Sequence, residues 1–392
     1  MSFPYSHLLN KSEALQKLSS FDESIDSRKK RFIGYPCNAD LHLEKFINWW
    51  SKSAMSELPL NDVGDPFSET SYTLNSHPFE REVVDYFSSI YNVHPSWGYV
   101  TSGGTEGNEQ GLYMGRRVLS QFGKPILYFS EESHYSVSSL GKILNLEYCK
   151  IDAEESGKMS EEALKETIDP SRPALFSLSI GTTFKGGIDS IENIDKIVKE
   201  KGIKHVYYHA DAALFGGYLP YLTDPLAPTL DFEKHPYDSI AVSGHKFFGS
   251  PFPFGIFLIK NKYLSSFHTD FIQYIDAENI TIPCSRSSLN TLLFWWIVHT
   301  TPIENFQEQA KTMIQNANYL YYSLREKNYP VWLNSFSNTV YFKQPSLEVC
   351  SKWTLAKTNC HKLGLLAHAV VMQHVDRNMI DDFVADVIDF LQ

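Results

Sequence analysis

The chain has 392 residues, 43% of them apolar, and carries 46 acidic against 35 basic side chains, a formal net charge of −11. That length suits one large domain with a smaller one, and the acidic balance argues against nucleic acid, whose phosphates call for clustered Lys and Arg. The cysteines Cys37, Cys149, Cys284, Cys350 and Cys360 show no metal-ligand spacing, and no apolar run reaches the about 20 residues of a membrane span. The amino terminus lacks a basic region followed by an apolar core, so a soluble, reduced, cytoplasmic protein with no metal is expected.

Taken in order, the pattern predicts helices over 12–30 and 41–53, the first closed by the basic run Arg28-Lys29-Lys30-Arg31, which opposes the negative end of the helix dipole. Gly34-Tyr35-Pro36 between them cannot continue a helix and is expected to cross the surface as a loop. The polar stretch Asn61-Asp62-Val63-Gly64-Asp65-Pro66 marks a boundary, and Phe79, Val83 and Phe87 at helical spacing behind Ser76 or His77 mark a helix start.

Strands are then expected near Tyr99, over 126–129, 174–180, 206–209 and 240–243, with helical stretches between them. This alternation implies a mostly parallel sheet covered by helices on both faces, with ligands bound at the carboxyl ends of the strands. One long helical region over 289–328, strands near Val340 and Ala369 and a last helix from Arg377 complete a small α+β unit. Three parts are therefore expected: 1–60, 61–290 and 291–392.

The chemistry collects at the strand ends. Thr101-Ser102-Gly103-Gly104-Thr105-Glu106-Gly107-Asn108 turns tightly into a helix whose free N–H groups suit a phosphate. Ser133-His134-Tyr135-Ser136 opens another helix, where an imidazole can lie flat on a planar ring. Gly181-Thr182-Thr183 offers hydroxyls, and Ala213 is small enough for a ring to lie against it. His209 and Asp211 end one apolar strand, and two residues apart they share a face, so His209 can support the carboxylate. Lys246 follows the next strand between two glycines, where burial lowers its pKa and frees the amine to attack a carbonyl. A lysine to hold an aldehyde and an aspartate to keep a pyridine nitrogen protonated are what a pyridoxal phosphate (PLP) enzyme requires.

His209-x-Asp211-Ala212-Ala213 followed by Ser243-x-His245-Lys246 resembles the group II PLP-dependent amino acid decarboxylases. Ile33-Gly34-Tyr35-Pro36, Trp97-Gly98-Tyr99-Val100-Thr101 and Ile180-Gly181-Thr182-Thr183 look most like their bacterial histidine decarboxylase and plant serine decarboxylase members. The resemblance implies an α/β fold of the PLP-dependent transferase fold type I, with a mostly parallel seven-stranded sheet in the large domain. It implies that Gly104 and Thr105 hold the cofactor phosphate with Ser243 and His245 nearby, and that His134 stacks over the ring. It also implies a homodimer, with Tyr35 contacting substrate and Ser285-Arg286 reaching toward the partner's site. Those two are all that survives of the family's Gly-Ser-Arg-Asn-Gly-His. The expected reaction is α-decarboxylation of an L-amino acid, first of all L-histidine, then serine or an aromatic residue. Transamination and a non-catalytic PLP-fold scaffold are the rival readings. Tyr274 lies in a stretch of weak periodicity, over 261–283, that is free to act as a lid bringing in a proton donor.

Overall fold

The computed structural model describes residues 9–267 and 270–389. The chain runs through α1 (Lys11–Lys29), α2 (Glu44–Trp50) and α3 (His77–Ile90) into β1 (Ser96–Thr101) and α4 (Gly104–Leu119). Next come β2 (Ile126–Ser130), α5 (Tyr135–Ile143), β3 (Glu147–Ile151), α6 (Glu161–Thr167), β4 (Ala174–Ser179) and α7 (Ile191–Glu200). β5 (Val206–Asp211), α8 (Phe215–Tyr218), β6 (Ser239–Val242) and β7 (Gly255–Lys260) finish the first layer. There follow the hairpin β8 (Asp270–Ile272) and β9 (Ala277–Asn279), then α9 (Ser288–Thr300) and α10 (Ile303–Glu326). β10 (Val331–Leu333), β11 (Thr339–Lys343), α11 (Leu347–Lys352), β12 (Ala356–Cys360), β13 (Gly364–Val370) and α12 (Arg377–Asp389) end the described chain.

β1 to β7 form one seven-stranded sheet in the order β1-β7-β6-β5-β4-β2-β3. β7 alone runs against its neighbours β6 and β1; β3, β2, β4, β5 and β6 pair in parallel. The central strands are apolar on both faces because helices cover both, and every residue of β4 is buried. Register sets Ser179 beside Asp211 and Asp211 beside Ala241, so β4, β5 and β6 end together. β10-β11-β13-β12 make a second, antiparallel sheet with its own apolar cluster.

Three glycines explain how α4 lies on the first sheet. Gly107, Gly111 and Gly115 recur every four residues and so share one face of the helix. A Cβ on Gly107 would come within 2.8 Å of that of Ala241, and one on Gly111 within 2.3 Å of the His209 ring. One on Gly115 would come within 2.5 Å of Leu175. Bare backbone on this face brings the helix, and Asn108 with it, down onto β4, β5 and β6.

The long helical region expected over 289–328 is instead two helices. Thr301 takes an extended conformation, φ −97° and ψ 118°, because Pro302 disfavours the helical region for the residue before it. The expected boundary at 290 falls inside α9, whose Leu292, Leu293 and Phe294 belong to the core of the large sheet. α10 joins the two cores, giving Phe306, Ala310 and Met313 to the first and Ala317, Leu320 and Leu324 to the second. The edge strand β3, mostly exposed, carries no alternation by which to read it from sequence.

Candidate active site

A cavity of about 410 Å³ opens where the parallel strands end, between the large sheet and β11 to β13. Ten of the residues expected at a site line it: Lys246, Asp211, His134, Gly104, Thr105, Thr182, Ala213, Ser243, His245 and Tyr35. They come from five separate strand ends and the loop before α2.

Lys246 is carried by a single π-helical turn, His245–Gly249, directly after β6. The turn is held from outside: Asn38 Nδ2 and Gln373 Nε2 both donate to the Phe247 carbonyl, at 3.0 and 2.7 Å. Burial lowers the pKa of the Lys246 ammonium, opposed by the charge of Asp211 and then by Cys37. Asp211 is buried at the end of β5, and burial raises its pKa; Lys246, His134, a hydrogen bond from Asn108 and the Ala213 backbone N–H oppose that rise. Amine and carboxylate thus hold each other's charge inside a low-dielectric wall.

His134 is the N-cap of α5. Its Nδ1 accepts from the Ser136 N–H at 3.3 Å, with the Ser136 hydroxyl 2.7 Å away. Burial lowers its pKa, so the neutral ring keeps its proton on Nε2. Burial likewise lowers the pKa of His245, whose Nδ1 stands 2.9 Å from the Phe254 carbonyl oxygen. Thr182 Oγ1 accepts from the Gly187 N–H at 2.9 Å, which leaves its hydroxyl hydrogen uncommitted by that bond.

The phosphate end is shaped by what it lacks. Gly103 takes φ +144°, and a Cβ on Gly104 would stand 2.5 Å from Ser243 Oγ and 3.4 Å from that of Ala213. The absent side chain leaves a cradle at the N-terminus of the sixteen-residue α4, where helical N–H groups and the dipole favour an anion. Glu106 Oε2 accepts from the Ser102 N–H at 2.9 Å and from its hydroxyl, which ties the turn. An anion cradle, a buried carboxylate and a lysine around one cavity fit a phosphorylated pyridine aldehyde.

Three expected residues lie elsewhere. Tyr274 is 80% exposed in the turn of the β8–β9 hairpin. This hairpin is not the loose lid expected: Ile275 is buried against Val63, and its carbonyl accepts from the Ser71 N–H at 3.0 Å and the Thr70 hydroxyl at 2.7 Å. Ser285 accepts from Asn61 Nδ2 at 3.0 Å. The Arg286 side chain is buried within its own chain, paired with Glu80, donating to the Gly64 carbonyl at 3.0 Å and lying over the Tyr99 ring. A guanidinium so occupied is not available to substrate.

Sequence reading passed over Asn108, Phe184 and His368, which also line the cavity. Asn108 stands in the phosphate turn and draws no separate notice there. His368 comes from β13, its ring stacked on Phe184 at 4.4 Å and its nitrogens at the carbonyls of Phe184 and Gly34, 2.9 and 3.1 Å away. Nothing in the sequence around either residue sets it apart.

Fold and site together define a PLP enzyme of fold type I, and comparison with known proteins agrees. Residues 114–343 match the pyridoxal-dependent decarboxylase conserved domain. The chain is 35% identical to histidine decarboxylase of Vibrio campbellii over 96% of its own length and 95% of that protein's. It is 33% identical to serine decarboxylase 1 of Oryza sativa subsp. japonica over 94% of its own length and 74% of the relative's. Among solved structures, L-methionine decarboxylase from Streptomyces sp. 590 superposes with a TM-score of 0.85 at 24% identity, covering 99% of this chain and 97% of that one. The chain belongs to the pyridoxal-dependent decarboxylase family, and its cofactor is pyridoxal phosphate. Its reaction is the decarboxylation of an amino acid.

Proposed function

We propose that the amino acid is L-histidine and the product histamine, formed by a cytoplasmic homodimer. The observation that carries the choice is the match to a bacterial histidine decarboxylase over 96% of this chain and 95% of that protein; the serine decarboxylase aligns over only 74% of its length. The outer cavity wall is aromatic in the same sense: Tyr35, Phe184 and His368 belong to it, the last two stacked on each other.

The proposed roles follow from the geometry. Lys246 Nζ would be the attachment point of the cofactor, and once the substrate's α-amine had displaced it, the amine, its ammonium disfavoured by burial, would be free to take up or give a proton. Asp211 keeps a negative charge where the pyridine nitrogen is to be held, and Ala213 and His134 bound the two faces of the ring. Gly104, Thr105, Ser243 and His245 would hold the phosphate, and Thr182 would donate to a ring substituent. When bound, PLP supplies an electron sink for the pair left on Cα as carbon dioxide departs.

The dimer is supported by α1. None of its residues is buried, yet Leu15, Leu18, Phe21 and Ile25 line one side of it, between 45% and 65% exposed. A second copy is the proposed cover. Among the described residues no helix is long and apolar enough to cross a membrane.

Purified holoenzyme offered each of the twenty amino acids should release carbon dioxide fastest from histidine, with histamine as product. Faster release from serine or an aromatic amino acid overturns the substrate, and keto acid without carbon dioxide would point to transamination. An absence of any spectral response to amino acids would leave only a scaffold.

Tyr274, rigidly presented on its hairpin, is proposed to reach the partner's cavity and give its phenolic proton to Cα. Tyr274→Phe should then still release carbon dioxide while aldehyde and pyridoxamine phosphate accumulate at the expense of amine. Hybrid dimers of Tyr274→Phe and Lys246→Ala chains should recover one normal site, which a same-chain role could not produce. An unchanged amine yield with no aldehyde makes Tyr274 a surface residue.

A further inference from the structure

Behind Asp211 stands a file of neutral hydrogen-bonding groups that no step above uses. Asn108, in the second turn of α4, is 2% exposed and lies between the carboxylate of Asp211 and Nε2 of His209, 2.9 Å from the latter. His209 Nδ1 is in turn 2.8 Å from the Ser239 hydroxyl on the neighbouring strand. His209 and Ser239 are both wholly buried.

We infer that Asn108 is the positioning residue of Asp211: through its amide, backed by His209 and Ser239, it aims the carboxylate and keeps it ionised for the pyridine nitrogen. The inference rests on Asp211 as the partner of that nitrogen. Donor and acceptor capacity leaves the file one consistent arrangement. A carboxylate only accepts, so Asn108 must turn Nδ2 toward Asp211 and Oδ1 toward His209. Nε2 of His209 then carries the ring hydrogen, and Nδ1 accepts from the Ser239 hydroxyl. Burial lowers the pKa of His209 to about 3, so the ring stays neutral throughout the physiological range and adds no charge of its own.

Two further observations bear on this. His209 and Asp211 share a strand face, yet it is the side chain of Asn108 that joins them, reaching down from the helix. Its reach depends on the bare face of α4, since a Cβ on Gly111 would lie 2.3 Å from the His209 ring. The other influences that favour ionised Asp211 include Lys246 and His134, which act only while they carry charge, and burial opposes the charge of both. Asn108 and the Ala213 N–H are neutral donors and act the same way at every stage.

The test compares Asn108→Ala, Asn108→Leu and Asp211→Asn with the parent protein. Its readouts are the dissociation constant of PLP, the 15N resonance of PLP labelled at the pyridine nitrogen, and the thermal midpoint of the apoprotein. Loss of one hydrogen bond to a charged group predicts PLP binding weakened roughly tenfold in both Asn108 variants. The nitrogen resonance should move toward its unprotonated position, with the pH at which it titrates lowered, while the apoprotein melts as a folded domain. Asn108→Leu is close to asparagine in volume, so with Asn108→Ala it separates loss of the amide from loss of packing. If Asp211→Asn shifts the resonance and neither Asn108 variant does, Asn108 is a tie between helix and sheet and the inference is overturned. If Asp211→Asn itself changes neither affinity nor resonance, the reading of Asp211 fails, and the inference with it.

Discussion

Lys246→Ala should abolish turnover, by on the order of 10³-fold or more, and with it the visible absorbance of the lysine-bound cofactor. The protein should nevertheless stay folded. The turn that carries Lys246 is held by backbone and by Asn38 and Gln373, not by the lysine side chain. In the apoprotein, where Nζ is a free amine, the same variant should change how stability depends on pH. Because burial lowers the folded-state pKa, the unfolded chain binds more protons at this site between that value and the ordinary 10.5. Stability therefore rises with pH through that window, and the cost of the buried ammonium is fully present below it. Lys246→Ala should flatten this rise. Carbon dioxide release, the absorption spectrum and urea midpoints at several alkaline pH values check all three, and a variant that decarboxylates at near the normal rate removes Lys246 from the mechanism.

The second large effect is on stability and falls at Arg286. Its guanidinium is paired with Glu80, a carboxylate with no exposed surface that also accepts from the Val100 N–H at 2.8 Å. Burial pushes the Glu80 carboxyl up to about 7 even with the arginine beside it. Removing Arg286 leaves an acid that can neither find water nor keep a cation, which costs roughly 3–5 kcal/mol. In Arg286→Ala the folded-state pKa of Glu80 should climb further above its ordinary 4.5. The folded protein then binds more protons than the unfolded chain above that value, so the variant loses stability as pH rises and is least damaged in mild acid. Replacing both partners, as in Glu80→Gln with Arg286→Met, should return most of the loss. Urea midpoints at pH 5 and pH 8 measure this; a loss under about 1 kcal/mol, with KM for substrate raised instead, would restore Arg286 to the substrate.

Arg286 shows why a loop residue's surroundings are not legible in sequence. Resemblance alone points the pair Ser285-Arg286 toward the partner's site, and nothing local tells whether a loop arginine faces outward or back into its own chain. Here Glu80 on α3 and the Gly64 carbonyl are more than two hundred residues earlier in the sequence. Tyr274 is a comparable case. Weak periodicity suggests freedom to move, whereas the segment is a hairpin pinned by Thr70 and Ser71, again distant in sequence.

What the sequence by itself determined is the sheet and the groups at its ends. Apolar runs of strand length separated by helical stretches require a parallel layer, and parallel strands bring their carboxyl ends to one edge; Asp211, Lys246 and the Gly103-Gly104 turn had to meet there. Chain connectivity alone carries that far. What only the tertiary structure decided is everything that depends on contact between elements. The stripe of Gly107, Gly111 and Gly115 is visible in the sequence, but that it presses Asn108 between His209 and Asp211 follows from where α4 lands on β5. His368 enters the cavity wall from β13 because the second sheet docks over the first, and no local pattern encodes that docking. Periodicity reports which face of an element is buried; the identity of the residue met on the other side is a property of the packed chain.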